Sequence, residues 1–163
     1  MKRDHVSFDV FDTCLIRRCG LPCKIWDLMA DRLFEKEDDR GRLSFFGNRS
    51  LAENKASRRI SYPTLSDIYD ELDVSQWGFE KERVMNLEME IEEQELFPNP
   101  EMLKIVDEYR EKGFIIALIS DMYLSKEQIQ AMLEKNGYEK PDAIFVSSDC
   151  GLRKITGNLY KEV

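Results

Sequence analysis

Three short apolar runs in this sequence each carry or end in residues that could do chemistry. The first, Val6 to Phe11, contains Asp9 and is followed by Asp12 and Thr13. The second, Phe114 to Ile119, ends in Ser120 and Asp121. The third, Ala143 to Val146, ends in Ser147-Ser148-Asp149, with Lys154 five residues later. A carboxylate such as Asp9 can attack an electrophilic phosphorus or carbon and form a covalent aspartyl intermediate. A hydroxyl such as that of Ser120 can donate to a phosphoryl or carboxylate oxygen. An ammonium such as that of Lys154 can neutralise charge on the nucleophile and on the group being transferred. Each residue has a plainer reading taken singly: a strand-end acid, a helix cap, a surface lysine. Their common place at the ends of apolar runs makes them a constellation.

The elements that must position them follow from the patterning. Near-continuous apolar runs read as strands buried on both faces, the signature of a parallel sheet. In open α/β sheets ligands bind beyond the carboxyl ends of the strands, where these polar residues fall. Helical patterns separate the second and third runs from what precedes them. Residues 100–111 repeat apolar positions at Met102, Ile105, Val106 and Tyr109, with Asn99 as N-cap and Pro100 in the first turn. Residues 126–135 bury Ile129, Met132 and Leu133, with Ser125 as N-cap and Asn136-Gly137 as the stop.

Residues 21–97 break this rhythm. They read as helices over 25–34, 48–59, 65–72 and 80–95, with no convincing strand. A βα connection needs about a dozen residues, so this block reads as a separate helical cap inserted after the first strand. The alternative is that its helices simply cover one sheet face. The expected organisation is therefore a core strand and motif in 1–20, a cap in 21–97, and the remaining core in 98–163.

The last cap helix carries seven glutamates, among them Glu88, Glu92 and Glu95. The expectation is a solvated acidic face, with Val84, Leu87 and Ile91 as the buried stripe. Arg49 and Glu53 stand four apart and are expected to pair. Arg17 and Arg18 are expected to be a solvated linker rather than ligands of an anionic substrate. The four cysteines, Cys14, Cys19, Cys23 and Cys150, lack zinc-site spacing and are expected as reduced thiols.

Composition narrows the function. With 24 basic against 32 acidic residues, the formal charge is −8. That balance argues against nucleic acid and against an anionic membrane surface as partners. No run approaches the roughly 18 apolar residues of a membrane span. No apolar stretch follows the charged start Met1-Lys2-Arg3-Asp4-His5, so no signal peptide is read and a cytoplasmic location is expected.

Phe8-Asp9-Val10-Phe11-Asp12-Thr13-Cys14-Leu15 resembles the first motif of the haloacid dehalogenase-like (HAD) hydrolase superfamily. Ile116 to Met122 resembles its second, and Ser147 to Gly157 its third. More narrowly, the FDxFDT start, the SDMYLS segment and the GxxKxxGxLY ending resemble bacterial hydrolases found beside, or fused to, glycosyltransferases of surface-polysaccharide synthesis. The resemblance implies an α/β fold with a Rossmann-like three-layer parallel sheet and an inserted α-helical cap. It implies Asp9 as nucleophile, Lys154 as the charge-stabilising lysine, and Ser120, with Asp121 and Thr13, as the phosphate- or substrate-binding group. Asp9 and the backbone carbonyl of Phe11 would ligate magnesium. The expected substrate is a phosphorylated small molecule or sugar, and the expected partner a glycosyltransferase.

Two departures from the family pattern qualify this. The position two residues after the nucleophile, an aspartate in phosphatases that protonates the leaving oxygen, is Phe11. Asp12 is the nearby substitute. Without a general acid an alkoxide leaving group loses roughly 10²–10⁴-fold in rate, so carbon–halogen hydrolysis stands as an alternative. The acidic fourth motif is also missing, which would weaken magnesium binding and leave an open edge beside the first strand. The expectation is a piece of a longer protein, truncated after the third core strand, with a homodimer across that edge as the alternative. A non-catalytic module of a polysaccharide-assembly protein is the third reading.

Overall fold

The computed structural model describes residues 4–151. Lys154 lies outside the described residues, as does the rest of the third motif after Gly151. The chain divides into two compact units. The first combines the residues up to Ile16 with those from Leu96 onward; the second is Arg17–Glu95. The block read from sequence as helical, 21–97, overlaps the second unit, whose limits fall a few residues earlier at both ends.

In the first unit, β1 (His5–Asp9), β4 (Ile115–Ser120) and β5 (Ala143–Val146) form a parallel sheet in the order β1-β4-β5. The central strand β4 is buried over Ile116–Ser120, as its unbroken apolar run dictates. The edge strand differs from expectation. It ends at Asp9 instead of running to Phe11, and it alternates, with His5, Ser7 and Asp9 exposed. Among the described residues β1 pairs only with β4. Its polar members therefore face water while Phe8 packs edge-on to Tyr109, which in turn meets Phe114. Two short strands that the sequence reading missed, β2 (Leu15–Arg17) and β3 (Leu96–Pro98), pair as a separate two-stranded sheet.

The helices of this unit keep their expected bounds. α5 (Pro100–Glu111) is capped by Asn99, whose Oδ1 accepts from the Glu101 N–H. α6 (Lys126–Lys135) starts in a capping box between Ser125 and Gln128. α5 packs on β4 and α6 on β5. A single turn, α7 (Ser147–Cys150), follows β5.

The second unit holds α1 (Lys24–Leu33), α2 (Asp39–Arg59), α3 (Leu65–Asp70), a 3-10 turn at Val74–Trp77 and α4 (Lys81–Glu95). Its core is built by Ile25, Met29, Phe45, Ala52, Ile68, Val84 and Ile91. α2 starts nine residues before the expected position 48, because Asp38 caps it by accepting from the Gly41 N–H at 2.8 Å. No helix among the described residues is long and apolar enough to cross a membrane.

The acidic helix corrects the sequence reading. The buried stripe of α4 is Val84, Glu88, Ile91 and Glu92, so two glutamates occupy core positions instead of a solvated face. Glu88 receives the Arg49 guanidinium through Nε at 2.8 Å and Nη2 at 2.6 Å. Tyr69 donates to the same carboxylate at 2.7 Å. The expected Arg49–Glu53 pair also forms, at 3.0 Å, and the Arg49 guanidinium lies 4.9 Å from the Trp26 ring centroid. Arg17 is likewise buried instead of solvated, donating to Glu92 Oε1 at 2.8 Å. Arg18 donates to the Gln94 carbonyl. Charges enter this core because each meets an opposite charge.

Candidate active site

The site is assembled by strand register. Asp9, the last residue of β1, lies opposite Ile119 of β4, and Ser120 follows. Ser120 lies opposite Val146 of β5, and Ser147 follows. Parallel pairing therefore brings Asp9, Ser120 and Ser147 to the carboxyl ends of three neighbouring strands. Asp9 is exposed, whereas Ser120 is buried at 2% exposure.

The chain turns sharply after Asp9. The Cys14 and Leu15 N–H groups both donate to the Val10 carbonyl, at 2.8 and 2.9 Å, and the Asp12 N–H donates to the Leu15 carbonyl. Asp12 sits at φ 59, the left-handed region that aspartate tolerates better than most residues. This turn brings the Thr13 hydroxyl back to donate to Asp9 Oδ2 at 3.1 Å. Asp12 and Asp121 are exposed beside the strand ends, and Phe11 is half-buried.

The serines and aspartate of the third motif have a use that the sequence reading did not foresee. Ser147 Oγ accepts from the Met122 N–H at 3.1 Å, and Ser148 Oγ donates to the Leu124 carbonyl at 2.9 Å. Asp149 accepts from the Lys126 N–H at 2.9 Å. All three bind the segment that follows Ser120 and Asp121 to the end of β5. The general preference of these side chains for backbone partners is the only signal of this in the sequence.

All four cysteines are unbridged. Burial pushes the Cys14 thiol up to about 11, so at neutral pH it is not a thiolate nucleophile. Burial also raises the Tyr138 phenol, so Tyr138 remains an O–H donor.

Asp9 and the Phe11 carbonyl are hard oxygen donors of the kind magnesium takes. Among the described residues, however, no group of three or more His, Cys, Asp or Glu side chains is placed to hold a metal.

No protein-family model and no curated protein matches this sequence. Solved structures do match its backbone. A dehalogenase, and the same type of enzyme with an intermediate complex, each align with a TM-score of 0.60 at 15% identity, over 98% of this chain and 69% of theirs. An L-2-haloacid dehalogenase aligns with a TM-score of 0.59 at 14% identity, over 100% of this chain and 72% of that one.

The fold is HAD-like. In this fold Asp9, Thr13 and Ser120 converge on one end of the sheet. Lys154 falls outside the described residues.

Proposed function

We propose that this chain is a HAD-like hydrolase that works by covalent catalysis on Asp9. The reading is carried by one observation: an exposed carboxylate ends an edge strand, accepts from Thr13, and stands beside the strand end that carries Ser120. One Asp9 oxygen attacks the electrophile, and the bond to the leaving group breaks. Water then cleaves the aspartyl intermediate, releasing product and restoring the carboxylate. Thr13 orients the attacking group by holding its other oxygen.

The substrate class is a phosphorylated small molecule or sugar. Support comes from the strand ends, where hydroxyls and carboxylates suit a ligand with many oxygens, and from the resemblance to hydrolases that accompany glycosyltransferases. Phosphate-ester cleavage asks for a proton on the departing oxygen, and Asp12, one residue after Phe11, is the group to supply it. Phe11 favours a second reading, carbon–halogen hydrolysis, since halide leaves without a proton. Solved structures that share this fold include ones named as dehalogenases.

The test is a panel of phosphate monoesters and 2-haloacids, assayed for phosphate and halide release with and without a chelator. Phosphate release abolished by chelation supports the first reading. Chelator-insensitive halide release supports the second. Turnover that survives Asp9→Asn rejects both.

A further inference from the structure

The turn that carries the nucleophile is gripped from behind by two residues far away in sequence. The Cys14 carbonyl accepts from the Asn99 N–H at 2.8 Å and from the Tyr138 hydroxyl at 2.8 Å, which fills both of its lone pairs. The preceding carbonyl, that of Thr13, accepts from Asn99 Nδ2 at 3.0 Å. Thr13 is the residue whose hydroxyl holds Asp9. We propose that Asn99 and Tyr138 are positioning residues, which set the orientation of the Asp9 carboxylate through the carbonyls of Thr13 and Cys14. The inference rests on Asp9 being the nucleophile and adds the parts that aim it.

The sequence around both residues is built for rigidity. Asn99 stands between Pro98 and Pro100. Pro100 disfavours the helical region for the residue before it, and Asn99 has φ −76 and ψ 112. Its side chain is used at both ends: Oδ1 accepts from Glu101 as the cap of α5, while Nδ2 donates to Thr13. Only an amide can do both at this size. Tyr138 follows the left-handed Gly137 at the end of α6, and its N–H donates to the Leu133 carbonyl. Its ring is buried, with 3% exposure, and the carbonyls within reach of its hydroxyl are those of Cys14 at 2.8 Å and Asn99 at 3.4 Å. The grip thus ties the nucleophile turn to the start of α5 and the end of α6.

Asn99→Asp separates this role from helix capping. Aspartate caps a helix as well as asparagine does, but it has no N–H to offer Thr13 and sets a carboxylate against that carbonyl. Tyr138→Phe removes a single hydroxyl. Hydrogen exchange in both variants should show the Cys14 and Leu15 amides exchanging at least about tenfold faster, which is about 1.4 kcal/mol of lost protection. The Ile116–Ile119 amides should stay within about twofold of wild type. The carboxyl-carbon NMR resonance of Asp9, identified by its absence in Asp9→Asn, should move in both variants. Unchanged exchange at residues 14 and 15, or exchange that rises equally in β4, overturns the proposal, as does a stationary Asp9 resonance. These readouts need no substrate, so they can fail while Asp9 remains the nucleophile. Conversely, Asp9→Asn can retain turnover while the grip is intact.

Discussion

Arg49 and Glu88, separated by 39 residues, meet in a two-pronged ion pair that is almost fully withdrawn from water. Two helices of the second unit, α2 and α4, are thereby locked in one register. Removing one partner leaves a buried charge uncompensated, at about 3–5 kcal/mol. Glu88→Ala and Arg49→Ala should each lower denaturant stability by that order. Replacing both residues with methionine should lose much less than the sum of the single changes. Glu53 is more exposed, and Glu53→Ala should cost less than about 1 kcal/mol.

This pair shows where sequence and structure part. Glutamates at 88 and 92 look polar in any periodicity count, and their partners Arg49 and Arg17 lie 39 and 75 residues away. Nothing local reveals that the stripe of α4 includes charges. By contrast β4, α5 and α6 were legible, because an unbroken apolar run, Asn99-Pro100 and Ser125 each act within a few residues. The three-residue strands β2 and β3 are too short to show a period. The gathering of Asp9, Ser120 and Ser147 at neighbouring strand ends was legible, since parallel register brings strand ends together. Its supports at Asn99 and Tyr138 were hidden, since their partners are backbone carbonyls.

The glycines of α2 give a second contrast. Nothing lies within 4 Å of a side chain added at Gly47, whereas one at Gly41 would stand 2.3 Å from Asp38 Oδ2 and 2.7 Å from Phe34 Cδ1. Alanine is favoured over glycine in a helix by about 1 kcal/mol. Gly47→Ala should therefore raise thermal stability by roughly that amount. Gly41→Ala should lower it by disturbing the Asp38 cap. These two glycines also hid the true start of the helix from a propensity reading.

Stability should fall in alkali. The Cys14 thiol is raised from 9.0 to about 11, so the folded state favours the protonated form. That contribution, on the order of 3 kcal/mol for a thiol raised this far, is complete below pH 9 and is lost as pH rises through 11. Tyr138 is raised as well and acts in the same direction at higher pH. Denaturation profiles of wild type and Cys14→Ala should diverge in slope between pH 9 and 11, the variant being flatter. Parallel slopes contradict this assignment.

Thr13 has a distinct expected effect. Thr13→Val keeps the shape of the turn and removes the hydroxyl that holds Asp9 Oδ2. Its kcat should fall about tenfold or more with KM little changed, because misorientation acts on the reacting geometry. A KM effect alone would place Thr13 in ground-state binding.

The central claim is a covalent bond to Asp9, and single-turnover hydrolysis in H₂¹⁸O with excess protein tests it most directly. For a carbon ester, water attacks the Asp9 carboxyl carbon, and mass spectrometry should find the heavy oxygen in the peptide that contains Asp9. For an aspartyl phosphate, water attacks phosphorus: the label appears in phosphate, and hydroxylamine or borohydride should trap the intermediate at Asp9. Label that reaches product with no labelled or trapped Asp9 would contradict the account.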